Sequence, residues 1–255
     1  MSISPFRLLL VMPFALFSGV CSAAPVVAQP VAETAVNPAE EWVEMPNDLH
    51  WVRNSAEYKA LTRQVYRQAE MELLKLKESG ILDSTKNWAV ALDADETILD
   101  NSLFAKEQRG AAFDPVAWND WCRRIEAPAV PGSLEFLNLV KELGGKIAVV
   151  TNRSVVVTKE TKKNLKRLGV DFDVILLKDE ESDKHPRWDL LKSGKAKKGL
   201  EPLELLMFFG DNIHDFPDTH QDLRNKDTDA YSLFGIKYFV LPNPTYGSFP
   251  KNPKL

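Results

Sequence analysis

The sequence predicts an α/β protein built as a Rossmann-like three-layer sandwich, with a parallel sheet between helices and a small helical cap. Short apolar runs alternate with helical patterns along most of the chain, which is the order that successive βα units produce. Two of the apolar runs end in acidic segments, at 93–97 and 211–215. Since the carboxyl ends of parallel strands meet at one edge of a sheet, these acidic side chains are expected to form one ligand site.

The first residues have the pattern of an export signal. Arg7 supplies a positive charge, an apolar stretch runs from Leu8 to Phe17, and small residues follow. We expect cleavage after Ala23, which removes residues 1–23 and places the mature protein in the periplasm or outside the cell. Cys21 leaves open a lipid anchor instead. The apolar stretch is too short to cross a bilayer, so no membrane span is expected in the mature chain.

The rest of the chain divides into a linker and one domain. Residues 24–46 are rich in Ala, Val, Pro and Glu without a sustained period, which is typical of a flexible linker. Residues 47–255 are long and apolar enough for one catalytic domain. Helices are predicted at 55–78, 155–168, 187–192 and 218–223, and strands buried on both faces at 88–92, 147–150, 174–177, 205–209 and 236–241.

An interruption in this alternation predicts the cap. Residues 101–129 are rich in Phe, Trp and Asp and separate the first strand from the helix that opens after Pro131-Gly132. We expect this insertion to form helices over the strand ends.

Charge and cysteine content narrow the classes of function. The chain has 36 acidic and 32 basic residues and no dense basic segment, so a nucleic-acid polymer is not an expected partner. After cleavage of the signal, Cys122 is the remaining cysteine, and the fold must form without an intramolecular disulfide.

The first acidic segment contains two carboxylates suited to phosphoryl transfer. Phosphate-monoester hydrolysis is accelerated up to about 10²¹-fold by enzymes, which requires a nucleophile, a proton donor and charge neutralisation. Asp93 can attack phosphorus to form an aspartyl phosphate, and Asp95 can protonate the leaving oxygen and later accept a proton from water. The Thr97 hydroxyl is expected to hold the turn. An Asp-x-Asp pair alone is more often a solvated turn, so the hypothesis depends on the second segment.

The second acidic segment supplies the other half of a metal site. Asp211 follows Gly210, which lets the backbone turn sharply toward a ligand, and Asp215 lies four residues later. Oxygen ligands without clustered Cys or His suit Mg²⁺. We expect Asp93, the backbone carbonyl of Asp95 and Asp211 as direct ligands, and Asp215 as a residue that holds a metal-bound water or orients the loop. His214 is left out of the ligand set.

Four segments carry a family resemblance. Asp93-Ala94-Asp95-Glu96-Thr97 with its continuation to Asn101, Thr151-Asn152-Arg153, the segment around Lys184, and Gly210-Asp211-Asn212 with Asp215 occur in this order. They resemble the four motifs of the haloacid dehalogenase (HAD) superfamily, and most closely its class C acid phosphatases, the lipoprotein e(P4)-like 5′-nucleotidases. The likeness extends to Phe249. It implies a magnesium-dependent phosphomonoesterase with an acidic pH optimum, acting on small phosphomonoesters such as nucleoside monophosphates and aryl phosphates, and it suggests a homodimer.

Resemblance and spacing together assign further roles. Thr151 can donate its hydroxyl to a phosphate oxygen, with the Asn152 amide beside it. Lys184 resembles the lysine of the third motif and can balance the negative charge of phosphate and carboxylates. Lys178, at the end of the third predicted strand, is the alternative.

Aromatic residues are candidates for substrate selection. Trp118 and Trp121 lie three residues apart in the cap and can share one helix face, while Tyr246 follows the last predicted strand. Their rings can stack on a nucleobase or an aryl group. Either tryptophan can instead be part of the cap core, and Phe104 is a further candidate, so the sequence does not rank them.

Other functions are compatible with the same motifs. A non-catalytic storage or nucleotide-binding relative would keep the fold, and a phosphotransferase would pass the phosphoryl group to an alcohol. The presence of Asp93, the expected nucleophile, favours an enzyme, and hydrolysis is the expected main reaction.

Overall fold

The computed structural model describes residues 45–254, so the predicted signal peptide and residues 24–44 of the predicted linker lie outside the described part. Within it, a five-stranded parallel sheet lies between two helical layers, which confirms the predicted fold class. No helix of this part is long and apolar enough to cross a membrane.

The strands are β1 (Trp88–Leu92), β2 (Lys146–Ser154), β3 (Val174–Lys178), β4 (Glu204–Gly210) and β5 (Tyr238–Val240). The α-helices of residues 45–254 are α1 (Asn47–Asn54), α2 (Ala56–Glu78), α3 (Ile81–Ser84), α4 (Ser102–Gln108), α5 (Pro115–Arg124), α6 (Ser133–Glu142), α7 (Thr158–Arg167) and α8 (His185–Lys192).

The order of the strands reverses direction at β1. The sheet runs β3-β2-β1-β4-β5, so the chain moves outward from β1 to β3 and then crosses to β4 on the other side of β1. This reversal is the switch point at which open α/β sheets bind ligands. The backbone amide of Asp93 donates to the carbonyl of Phe209 at 2.9 Å, which joins the ends of β1 and β4. The two acidic segments therefore leave the sheet side by side.

Two hydrophobic cores cover the two faces of the sheet. Along β1, Val90 and Leu92 belong to the core beneath α2, α6 and α7, while Ala89 and Ala91 belong to the core beneath α8. Because parallel crossovers are right-handed, the helices before the reversal lie on one face and the helix after it lies on the other. This arrangement buries the central strands on both sides, which is why they read as continuous apolar runs.

The long helix α2 follows directly from its sequence. Ser55 caps it by accepting a hydrogen bond from the Tyr58 amide at 3.0 Å. Its buried residues recur at spacings of three and four and face the sheet. They are Tyr58, Thr62, Tyr66, Ala69 and Leu73.

The predicted helix at 218–223 is wrong. The structure has a short 3₁₀ helix, Gln221–Asn225, because Asp218 adopts a left-handed backbone with φ of 58° and the Thr219 hydroxyl donates to the carbonyl of Phe216 at 3.0 Å.

The last strand is also shorter than predicted. Gly235 turns the chain with φ of 82°, and the amide of Lys237 donates to Leu233 at 2.8 Å instead of extending the sheet.

The cap consists of α4 and α5, as the composition of residues 101–129 predicts. Asp114 caps α5 by accepting from the Val116 amide at 2.9 Å, and Pro115 occupies the first helical position. Phe104 of α4 packs against Trp118 and Trp121 of α5, with ring centroids 5.1 and 6.2 Å apart. These aromatic contacts join the two short helices.

Tyr66 connects α2 to the loop after β1. Its ring stacks on Phe209 of β4 with centroids 5.7 Å apart, and its hydroxyl donates to the backbone carbonyl of Thr97 at 2.6 Å. Burial raises the pKa of Tyr66 well above its usual value, so the hydroxyl keeps its proton and remains a donor. The loop that carries Asp93 and Asp95 is thus attached to a core residue.

Replacing Tyr66 by Phe should destabilise the protein, because it leaves the buried carbonyl of Thr97 without a partner. The expected loss in the free energy of unfolding is about 1–3 kcal/mol, measured by denaturant titration. Tyr231→Phe is the matched control, since the Tyr231 hydroxyl makes the same kind of bond to Leu223 at 3.0 Å in an exposed position. That variant should change stability by less than about 0.5 kcal/mol. Equal losses in the two variants would contradict this account.

Candidate active site

Three carboxylates and one lysine meet where β1 and β4 end. Asp93, Asp211 and Asp215 each place a carboxylate oxygen within 4.8 Å of the others, and we call them the acidic cluster. The Lys184 ammonium, on a side chain only 3% exposed, contacts Oδ1 of Asp93 and Oδ1 of Asp215, both at 2.6 Å. One buried cation therefore balances three carboxyl groups only in part.

Burial and mutual repulsion change the protonation of these groups. Burial raises the pKa of Asp93 to about 7, against the opposing effect of Lys184. Burial also raises the pKa of Asp211 well above its usual value, and Asp215 and Asp93 add to this rise. Burial alone would lower the pKa of Lys184, but Asp215 and Asp93 more than offset that effect and raise it, so the lysine stays charged. The cluster needs further positive charge to hold all its carboxylates ionised.

The donor atoms of the acidic cluster fit a divalent metal ion. Asp215 is engaged at both oxygens, because Oδ1 contacts Lys184 and Oδ2 accepts from the Asn212 amide at 2.9 Å. Asp211 accepts from Asn243 at 2.8 Å through Oδ2. Within residues 45–254, no hydrogen bond uses Oδ2 of Asp93 or Oδ1 of Asp211. These two carboxylate oxygens are thus available to a cation. Hard oxygen atoms are the ligands that oxygen-binding divalent ions require.

Gly210 is required where the second acidic segment begins. A Cβ atom at this position would lie 2.1 Å from Cβ of Asp215 and 2.3 Å from its Oδ2. Only glycine lets the end of β4 approach the Asp215 side chain so closely. His214 is exposed, its ring lies 5.5 Å from that of His220, and it is not a member of the acidic cluster.

The carboxylate of Asp95 has different partners. Its Oδ1 accepts from Asn101 Nδ2 at 2.9 Å and from Arg153 Nε at 2.8 Å, and lies 2.7 Å from a second guanidinium nitrogen of Arg153. The side chain is therefore outside the acidic cluster. The expected metal contact of Asp95 is through its backbone carbonyl, and it stays a prediction.

The turn after Asp95 is held by Glu96 and not by the Thr97 hydroxyl. Within the described residues, the buried Thr97 hydroxyl has no hydrogen-bond partner, so its expected role is wrong. Glu96 adopts a left-handed backbone with φ of 52°, and its carboxylate accepts from the Asn101 amide at 2.7 Å and from the Tyr246 hydroxyl. Burial, followed by the charges of Asp95 and Asp211, raises the pKa of Glu96 well above its usual value.

Thr151 and Asn152 lie inside β2, which runs four residues beyond its predicted end. Oγ1 of Thr151 accepts from the Arg153 amide at 3.1 Å, so its own proton is left to donate. Arg187 donates to the Thr151 carbonyl and to Oδ1 of Asn152, both at 2.6 Å. Arg187 has no role among the sequence predictions, although a basic residue in the first turn of α8 opposes the helix dipole and is a usable signal.

The structure separates the two lysine candidates. Lys184 is the one whose ammonium lies in the acidic cluster, while Lys178 is half-buried at the end of β3, paired in register with Ser154. The geometry favours Lys184, whose catalytic role stays a prediction.

The aromatic candidates have different exposures. Trp121 is 3% exposed, its Nε1 donates to Asn101 at 2.8 Å, and Arg124 covers its ring at 4.7 Å, so it belongs to the cap core. Trp118 is half-buried and faces the Arg153 guanidinium at 5.5 Å. Tyr246 is 46% exposed. Trp118 and Tyr246 therefore keep ring surface that a substrate can reach.

Known structures resemble this fold. The class C acid phosphatase from Bacillus anthracis has a TM-score of 0.68 and 31% sequence identity, covering 78% of this chain and 84% of that one. The structure of that enzyme with tungstate bound gives a TM-score of 0.68 and 33% identity over the same shares.

Comparisons of sequence also find acid phosphatases among the proteins similar to this chain. The stem 28 kDa glycoprotein of Glycine max is 23% identical over 212 residues, covering 81% of this chain and 75% of that protein. Acid phosphatase 1 of Solanum lycopersicum is 27% identical over 159 residues, covering 60% of this chain and 56% of that protein. Residues 17–249 match the model of HAD superfamily, subfamily IIIB (acid phosphatase). Because this match spans most of the chain and the fold agrees, the protein belongs to the subfamily IIIB acid phosphatases of the HAD superfamily.

Proposed function

We propose that this protein hydrolyses small phosphate monoesters, such as nucleoside monophosphates and aryl phosphates, as a Mg²⁺-dependent acid phosphatase. The observation that carries the proposal is the pair of 2.6 Å contacts from Lys184 to Asp93 and Asp215 inside the acidic cluster. A buried nucleophile candidate beside a charged lysine is suited to receive a phosphoryl group. The tungstate bound by the Bacillus anthracis relative supports an oxyanion ligand of similar shape.

In the first chemical step, a carboxylate oxygen of Asp93 attacks phosphorus. The bond between phosphorus and the leaving oxygen breaks, and that oxygen takes a proton from Asp95. In the second step, water attacks the phosphorus of the aspartyl phosphate while Asp95 accepts its proton. The bond to Asp93 then breaks and inorganic phosphate leaves.

Other residues of the site hold and neutralise the transferring group. Lys184 supplies a fixed positive charge, and Thr151 and Asn152 donate to phosphate oxygens from the end of β2. Arg187 keeps these two residues in place through its bonds to them. When bound, Mg²⁺ supplies further positive charge against the phosphate oxygens. Asp93, Asp211 and the backbone carbonyl of Asp95 would hold the ion, with Asp215 beside them.

Selectivity is expected to depend on aromatic contacts. The exposed ring of Tyr246 and the half-buried ring of Trp118 can stack on an aryl group or a base without requiring particular hydrogen bonds. This mode of contact favours a broad range of substrates.

The location of the protein follows from residues 1–23. The charged start, apolar stretch and small residues support export to the periplasm or beyond, with a lipid anchor at Cys21 as the alternative. Mass spectrometry of the mature protein separates the two, because cleavage after Ala23 removes Cys21 and lipidation retains it at the new N-terminus.

The first test is phosphate release from AMP and p-nitrophenyl phosphate at mildly acidic pH, with Mg²⁺ and with a chelator. Asp93→Asn should lower kcat/KM for both substrates by more than about 10³-fold, because an amide cannot form the aspartyl phosphate. Asp189→Asn is the matched control, since Asp189 is 74% exposed on α8 and should leave activity unchanged. Absence of phosphate release by folded wild type would favour a binding or storage protein, and transfer of most phosphate to an added alcohol would favour a phosphotransferase.

The second test is the effect of metal on thermal stability. Mg²⁺ at about 100 times its dissociation constant should raise the melting temperature by roughly 5–10 °C, because it relieves repulsion within the acidic cluster. Asp211→Asn should abolish most of this rise. Potassium chloride at equal ionic strength is the control for screening. An unchanged melting temperature in wild type at Mg²⁺ concentrations that support activity would contradict the metal site.

A further inference from the structure

The partners of Asp95 use only one of its two oxygens. The nitrogen donors of Arg153 and Asn101 all contact Oδ1, at nitrogen–oxygen distances of 2.7–2.9 Å. Within residues 45–254, Oδ2 of Asp95 accepts no hydrogen bond. A carboxylate held in this way has one fixed side and one side available to another molecule.

Arg153 is buried too deeply to be a surface ion pair. Its side chain is fully covered, and the residue is 1% exposed. Besides Asp95, its guanidinium contacts Oδ1 of Asn101 at 3.0 Å and the Thr161 hydroxyl at 3.5 Å. Replacing a buried ion pair by apolar residues is often neutral or stabilising, so stability alone is a weak reason for this pair. The arrangement has a clearer use in orienting a reacting carboxylate.

Asn101 holds the second side of the same arrangement. Its Nδ2 donates to Asp95, while its Oδ1 accepts from Arg153 at 3.0 Å and from Trp121 Nε1 at 2.8 Å. These bonds fix which end of the amide faces Asp95. Because Trp121 belongs to α5, the cap supports the orientation of Asn101.

We propose that Arg153 and Asn101 are positioning residues, called here the Asp95 clamp, which hold Oδ1 of Asp95 so that Oδ2 faces the leaving oxygen. Trp121 supports the clamp from the cap. This inference rests on the proposed phosphatase function and assigns roles that the sequence motifs alone did not. The proton passes from Asp95 to the leaving oxygen as the phosphorus–oxygen bond breaks, so a misplaced Asp95 impairs that transfer while leaving Asp93 able to attack.

A leaving group that needs no proton should be insensitive to the clamp. Phenyl phosphate and p-nitrophenyl phosphate have similar shapes, but p-nitrophenolate leaves readily as an anion and phenolate does not. The value of kcat/KM reports steps up to the formation of the aspartyl phosphate, where the leaving oxygen is protonated. The ratio of kcat/KM for the two substrates therefore measures proton donation by Asp95.

The decisive variant is Arg153→Lys, which keeps the charge and loses the paired donors. We expect kcat/KM for phenyl phosphate to fall at least about tenfold more than that for p-nitrophenyl phosphate, within the 10²–10⁴-fold range of general acid catalysis. Asp95→Asn should show the same pattern more strongly. Arg123→Lys is the control, because Arg123 lies on α5 in an exposed pair with Asp120 and should leave the ratio unchanged.

Trp121→Phe provides a second, milder variant that keeps an aromatic ring in the cap core. It removes the donor to Asn101 and should shift the ratio in the same direction by a smaller factor. An equal loss of kcat/KM for both substrates, which leaves their ratio unchanged, would overturn the proposal in whichever variant folds. Failure of wild type to hydrolyse either substrate would instead overturn the proposed function, so the two failures are distinguishable.

Discussion

The ion pairs of Lys184 with Asp93 and Asp215 join three segments that are distant in the sequence. Asp93 follows β1, Asp215 follows β4, and Lys184 immediately precedes α8. A buried ammonium is costly unless it has paired partners, and the carboxylates repel one another unless a cation lies between them. Other features serve this arrangement. The strand order makes β1 and β4 neighbours, Gly210 leaves room for Asp215, and two cores fix the strands from both sides.

Two neighbouring networks divide the work of the site. The acidic cluster collects negative charge around a buried lysine, while Asp95 is held apart by Arg153 and Asn101. This separation gives two carboxylates that are two residues apart in sequence different surroundings, which fits the different roles proposed for them. Glu96 joins the same turn to the loop of Tyr246, so the segment after β1 contacts both the cap and the C-terminal loop.

The sequence is sufficient for the fold class, the five strands and the residues that converge at the strand ends, because buried parallel strands have continuous apolar patterns and their acidic ends stand out. It fails at 218–223, where the alternation of strands and helices suggests a helix but a left-handed Asp218 and the Thr219 hydroxyl bond prevent one. It also gives no role to Arg153 or Arg187. Their partners lie 58 and 35–36 positions away, and although Arg187 is notable as a basic residue in a first helical turn, no local pattern shows which residues either arginine contacts.

The strand order also determines when the site can form during folding. β1 pairs with β4 only after the chain has passed through β2 and β3, so Asp93 and Asp211 meet through one of the least local contacts in the domain. Such contacts form late, because closing a long loop costs entropy before the contact itself stabilises the chain. Until β4 docks, the edge of β1 that faces it is open, and Asp93 has neither Asp211 nor Asp215 beside it. A chain that ends before β4 therefore contains Asp93, the proposed nucleophile, without the rest of the acidic cluster.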